Sequence, residues 1–175
     1  MHGNLFYTRP MKAALTLAVC LTLAVVIPAN AATIAGRVVG ITDGDTLTLL
    51  TSDRHAIKIR LADIDAPERH QPFGSRARQA LSDLVYGRNV TVSDEVDDSG
   101  PDLKQDPYGR SIGRIRAGDE DVNAEMVREG MAWVYTAYNR DPSLPGIEAE
   151  ARSAGRGLWA DPSPTPPWEW CKERK

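Results

Sequence analysis

Three features of the chain predict an α+β, mainly β domain. Five short stretches rich in β-branched and aliphatic residues are separated by turn formers. One stretch of helical spacing is inserted after the third strand, and two more follow the fifth. That order fits a five-stranded OB-type Greek-key barrel with three helices.

Each element has its own signal. Ile34 to Ile41 alternates loosely and forms the first strand, and Asp43-Gly44-Asp45 is a turn by composition. Thr46 to Leu50 is the second strand. His55 to Leu61 is the third, with Ile57, Ile59 and Leu61 on one face, and Thr51 to Arg54 is the hairpin loop between them. Pairing across that loop brings Asp45 to within one residue of Arg60. Phe73, Ala77, Ala80, Leu81 and Leu84 fall at helical spacing, and Gly87 stops that helix. Asn89 to Val92 is the fourth strand. The acidic stretch Asp94 to Asp106 is an exposed loop; it lacks the residues of a calcium-binding EF-hand. Ser111 to Arg116 is the fifth strand, with Ile112 and Ile115 as its main apolar residues. Asp121 caps a short helix carrying Val122, Met126 and Val127 that ends at Gly130. Ile147, Ala151 and Ala154 line the third helix, which stops at Gly155. Four prolines make 161–167 extended, and Trp168 and Trp170 pack back on the domain rather than standing in water.

The chain of 175 residues suits one domain. Residues 1–31 read as a secretory signal peptide: Arg9 and Lys12, an uncharged run from Ala13 to Ile27, then Ala29-Asn30-Ala31 with cleavage before Ala32. Met11 is an alternative start. The run of about 15 residues is short for a spanning helix, which needs about 20. The expected product is therefore an exported chain without stable membrane insertion, periplasmic or secreted. Its folded domain is 32–160, followed by a Pro/Trp-rich tail at 161–175. Processing removes Cys20 and leaves Cys171, so no internal disulfide is available.

Charge narrows the partners. Of 21 Lys+Arg, removal of Arg9 and Lys12 leaves 19 against 24 Asp+Glu, so the formal charge moves from −3 to −5. An acidic domain does not coat nucleic acid by charge alone. Yet 15 of the 19 cations are arginine, whose planar fork matches phosphate oxygens.

Two acidic clusters tied to arginines carry the chemistry. One is Asp43-Gly44-Asp45-Thr46; the other runs Arg60-Leu61-Ala62-Asp63-Ile64-Asp65-Ala66-Pro67-Glu68. Asp106-Pro107-Tyr108-Gly109-Arg110 adds a further arginine. Asp45, Asp65 and the Ala66 carbonyl are hard oxygen donors that favour Ca²⁺ or Mg²⁺, with Asp43 beside them. His55 and His70 lack zinc-site spacing. Arg60 and Arg110 suit a phosphodiester that builds charge during attack. Glu68 suits either a base that takes a proton from water or an outer contact of the metal. Taken singly, each has a plain reading: an Asp-Gly turn, an Asp45–Arg60 ion pair, a surface Arg110. Tyr108, Tyr135 and Tyr138 have the faces to stack on a base, and apolar neighbours favour packing for Tyr135.

These residues resemble the staphylococcal nuclease (thermonuclease) family, from about Ile34 to Trp159. Asp-Gly-Asp-Thr-Leu at 43–47, Leu50, Arg60-Leu61, Ile64-Asp65 and Pro67-Glu68 are similar to its signature in identity and spacing. Tyr108-Gly109-Arg110, the run 122–130 and Gly155-Arg156-Gly157-Leu158-Trp159 add to the likeness. The resemblance implies an OB-type barrel with three helices and Ca²⁺-dependent hydrolysis of DNA and RNA, cutting the 5′ P–O bond to leave 3′-phosphates. It puts Asp45, Asp65 and Ala66 on calcium, Arg60 and Arg110 on the phosphate, Glu68 as base or water organiser, and Tyr108 near the nucleotide. Pro107, in place of a usual cation, and Arg116, in place of a usual aromatic, depart from the pattern. A monomer is expected. The alternative function is a non-catalytic nucleic-acid-binding OB-fold module.

Overall fold

The computed structural model describes residues 33–94 and 103–172. The expected signal peptide and most of the acidic loop lie outside these residues.

Five strands close into a barrel. They are β1 (Thr33–Ile41), β2 (Thr46–Thr51), β3 (Ala56–Leu61), β5 (Asn89–Ser93) and β6 (Ser111–Ala117); β4 (Ile64–Asp65) lies outside it. β1 pairs antiparallel with β2 and with β5, β2 with β3, and β5 with β6. A parallel pairing of β3 with β6, Arg60 opposite Ile112, completes the circle. Closure pairs the outer edges of β3 and β6 over three residues of each.

The period-2 pattern explains the core. Leu47 and Leu49 of β2, Ile59 and Leu61 of β3, Val92 of β5 and Ile115 of β6 are buried inside. Ile112 and Ile115 do not share a face, because residues three apart on a strand point opposite ways. Ile115 enters the core and Ile112 lines a cleft outside.

The three expected helices are present: α1 (Gly74–Val85), α2 (Val122–Arg128) and α3 (Leu144–Ser153). α1 buries Ala77, Leu81 and Val85. Asp121 caps α2 as expected, accepting from Ala124 N at 3.1 Å. Smaller pieces were not legible in the sequence. β7 (Glu120–Asp121) turns back and pairs antiparallel with the end of β6, and β8 (Trp133–Val134) pairs with β4. A 3₁₀ turn spans Gly157–Ala160, and α4 (Pro167–Trp170) is one helical turn in the proline-rich tail. Two-residue pairings and single turns arise from tertiary contact, since neither is stable alone.

The β4–β8 pair matters for the site. It sets Asp65 opposite Trp133, and Tyr135 N donates to Asp63 O at 2.8 Å. The aromatic segment after α2 is thereby laid against the second acidic cluster.

Candidate active site

Asp45 is the hub of a cleft on the outer face of the barrel. It closes the turn into β2, and Leu61 N donates to its carbonyl at 2.8 Å. With Thr46 opposite Arg60 in the ladder, the expected one-residue proximity of Asp45 and Arg60 is observed. The Arg60 guanidinium pairs with Asp45 Oδ1 through Nη1 and with Asp65 Oδ1 through Nη2, the latter at 2.6 Å. Asp45 Oδ2 accepts from Ala66 N at 2.9 Å, and Asp45 Oδ1 accepts from Thr46 Oγ1 at 3.0 Å. Asp43 Oδ1 accepts from Asp45 N at 3.1 Å. The plain reading of an Asp45–Arg60 ion pair thus holds, but a second acid shares the guanidinium.

Close approach requires Gly44. A Cβ there would lie 2.6 Å from the Ala77 Cβ and 2.7 Å from the Ala66 Cβ. Glycine lets the first acidic turn nest between α1 and the second cluster.

Arg110 arrives from the other side. Asp106 organises its turn: Oδ1 accepts from Tyr108 N and Arg110 N, each at 2.9 Å, and Oδ2 accepts from Arg110 Nε at 2.7 Å. Arg110 Nη1 then donates to Thr46 Oγ1 at 3.0 Å. The chain Arg110–Thr46–Asp45–Arg60–Asp65 joins three separated stretches of sequence. Tyr108 is 85% exposed at the rim, with the Arg110 guanidinium 5.6 Å from its ring centre.

Glu68 lines the same cleft and is exposed. Its backbone N–H donates to Gln71 Oε1 at 3.1 Å, and Gln71 Nε2 donates to Thr165 O at 2.6 Å. A Cβ on Gly74 would collide with the Glu68 carbonyl, so the glycine that opens α1 permits the Glu68 loop its path.

The electrostatics favour a cation. Burial pushes Asp65 up to about 6, with Arg60 pulling it down and Asp45 pushing it up. Burial also raises Asp43 to about 6, and the neighbouring Asp45 charge adds to the rise. Burial opposes the charge on Arg60, but Asp45 and Asp65 outweigh it and hold the guanidinium above its ordinary range. Asp45 and Asp65 share one buried guanidinium and Asp43 stands beside Asp45, so negative charge is in excess when all three acids are ionised. Among the described residues no three of His, Cys, Asp and Glu form a ready-made metal cage. Two carboxylates and a carbonyl, completed by water, suit a hard divalent ion held partly by its own hydration.

The site residues named from sequence therefore line one cleft of about 600 Å³. Sequence reading missed Thr46 as a bridge, Asp106 as the anchor of Arg110, and Gln71. It also missed Trp168, whose ring stacks on Tyr135 with centroids 5.5 Å apart and planes 4° from parallel. Asp106, four residues before Arg110 in a turn, carried a readable signal. The others depend on distant partners.

The staphylococcal nuclease homologue family model matches residues 58–161. The chain belongs to the staphylococcal nuclease family. An uncharacterized endonuclease of Escherichia coli O157:H7 is 46% identical over 144 residues, which are 82% of this chain and 88% of that protein. A micrococcal nuclease of Shigella flexneri is 42% identical over 180 residues, 94% of this chain and 98% of that one. An uncharacterized endonuclease of Haemophilus influenzae is 42% identical over 139 residues, 79% of this chain and 74% of that protein. The closed five-stranded barrel agrees with the OB-type fold of the staphylococcal nuclease family. Family membership supports nuclease activity, a hydrolysis with nucleic acid as substrate. The family match spans Arg60, Asp65, Ala66, Glu68 and Arg110, and begins after Asp43 and Asp45.

Proposed function

We propose that the protein is a calcium-dependent endonuclease that hydrolyses DNA and RNA at the 5′ P–O bond and leaves 3′-phosphate ends. The observation that carries this reading is the convergence on Asp45: Asp65 meets it through Arg60, and Arg110 through Thr46. Acids that suit a cation and guanidinia that suit a phosphate face one cleft.

Asp45 and Asp65, with the Ala66 carbonyl and water, would hold Ca²⁺, which would supply polarisation of the phosphate and offset charge on its oxygens. Arg60 and Arg110 grip the phosphodiester from two sides, their forks matching its oxygens and the charge that grows on them during attack. Glu68 accepts a proton from the attacking water, or orders that water through hydrogen bonds. The new P–O bond forms as the bond to the 5′ oxygen breaks; that oxygen takes a proton from solvent and leaves as a hydroxyl. Tyr108 at the rim flanks the nucleotide, and Asp43 steadies the turn that carries Asp45. The leader at 1–31 supports export, to the periplasm or beyond, of a monomeric enzyme.

The test is digestion of single-stranded DNA and of RNA with Ca²⁺ and with chelator, followed by end-group analysis. Calcium-dependent cleavage with 3′-phosphate and 5′-hydroxyl ends is expected. Binding without cleavage in Ca²⁺ would instead identify a nucleic-acid-binding module.

A further inference from the structure

The tail after the 3₁₀ turn runs back to the cleft. Pro167, Trp168 and Cys171 line the same cavity as Asp45, Arg60 and Glu68. Three contacts hold it there. The buried Gln71 donates to Thr165 O with one end of its amide and accepts from Glu68 N with the other. Trp168 stacks face to face on Tyr135 and meets Trp133 edge-on, with ring centres 6.5 Å apart. Cys171 Sγ lies 3.7 Å from Glu68 Oε1.

We propose that Trp168 is a substrate-binding residue of the nuclease site, receiving a nucleobase of the strand whose backbone is gripped by Arg60 and Arg110. The assignment rests on the nuclease reading above. A phosphodiester held beside Glu68 brings its flanking bases within the same cavity, and those bases need apolar faces to cover. The indole is only half-buried, although Tyr135 stacks on one of its faces and the Trp133 ring stands at 74° to it. It is pre-set rather than floppy, so a base that settles on it orders little that is not already ordered. A tryptophan face accepts any base, so the gain is in affinity and not in sequence preference. Gln71 fixes the height of this wall relative to Glu68, because a single side chain holds both.

The experiment compares wild type, Trp168→Ala, Trp168→Leu and Trp168→Phe on a short single-stranded oligonucleotide and on the same oligonucleotide with abasic residues around the cleaved linkage. Loss of one stacked base should raise KM by roughly 5- to 100-fold in the Ala and Leu variants with kcat nearly unchanged. Trp168→Phe should recover most of the loss. On the abasic substrate the four proteins should converge, since the missing base and the missing ring remove one shared contact. A merely structural Trp168 would give an equal loss on both substrates, and that result, or unchanged KM in Trp168→Leu, overturns the assignment. Leu preserves apolar bulk, so an unfolded Trp168→Ala does not end the test; melting curves of each variant separate misfolding from lost contact. Absence of calcium-dependent cleavage by wild type would count against the nuclease reading itself.

Discussion

Arg60 and Arg110 face one cleft from opposite sides, yet they are built differently. Arg60 projects from the middle of a barrel ladder, is 17% exposed at its side chain, and is clamped by two carboxylates that are themselves 6% and 13% exposed. Arg110 heads β6 at the end of a turn, is 23% exposed, and is aimed by Asp106 and Thr46. One arginine is the counter-charge of a buried acidic cluster. The other is a positioned arm on the rim. Residues proposed for the same substrate group can therefore differ in what else depends on them.

Removing each arginine should have the largest effects. Arg60→Ala should cut turnover by about 10²–10³-fold or more and also destabilise the metal-free protein by about 3–5 kcal/mol, because two buried acids lose their partner. Arg60→Lys should recover little, since an ammonium cannot span both carboxylates as a planar fork does. Activity assays and denaturant melts read the two effects. Arg110→Ala should cost a similar factor in turnover, about 10²–10³-fold, but only about 1 kcal/mol in stability, since its pair is partly exposed. An Arg110→Ala protein that cleaves at the wild-type rate would remove that residue from the phosphate.

The acids give a pH test on the Arg60 side. Asp43 and Asp65 have folded values raised to about 6 from 3.8. The folded chain thus holds protons that the unfolded chain has lost between about pH 4 and 6. Metal-free stability should fall as pH rises through that window, the reverse of an acid with a depressed value. Calcium binding needs the ionised forms, so its stabilising effect should grow over the same interval. Melting temperature against pH, with and without Ca²⁺, shows both slopes; flat curves in both would remove these two acids from the linkage.

The smallest effect concerns Gln71. Gln71→Ala frees the Glu68 backbone and the tail together and should lower turnover by about tenfold, within the range lost when a positioning contact goes. Gln71→Glu keeps the acceptor for Glu68 N but loses the donor to Thr165 O. It should therefore retain Glu68-dependent turnover better than it retains the tail's place. Rates at saturating substrate, set beside KM, separate the two.

Asp45 and Arg60 are joined by a short hairpin, so register arithmetic brings them together. Asp65 and Glu68 follow within the same motif. Arg110 carried a local cue in Asp106, but its bond to Thr46 crosses the barrel through the β3–β6 pairing. Trp168 meets the site through Tyr135, 33 residues away, and Gln71, bonded locally to Glu68, ties the tail to it through Thr165, 94 residues away.

The barrel, the helix order and the stock of acids and arginines were legible in the chain alone, because hydrophobic period, turn formers and a short hairpin are local properties. The folded arrangement added that two acids share one guanidinium, that Thr46 bridges to Arg110, and that a proline-rich tail lines the cleft beside Glu68. Those depend on closure of the barrel and on burial, which no local window of sequence contains.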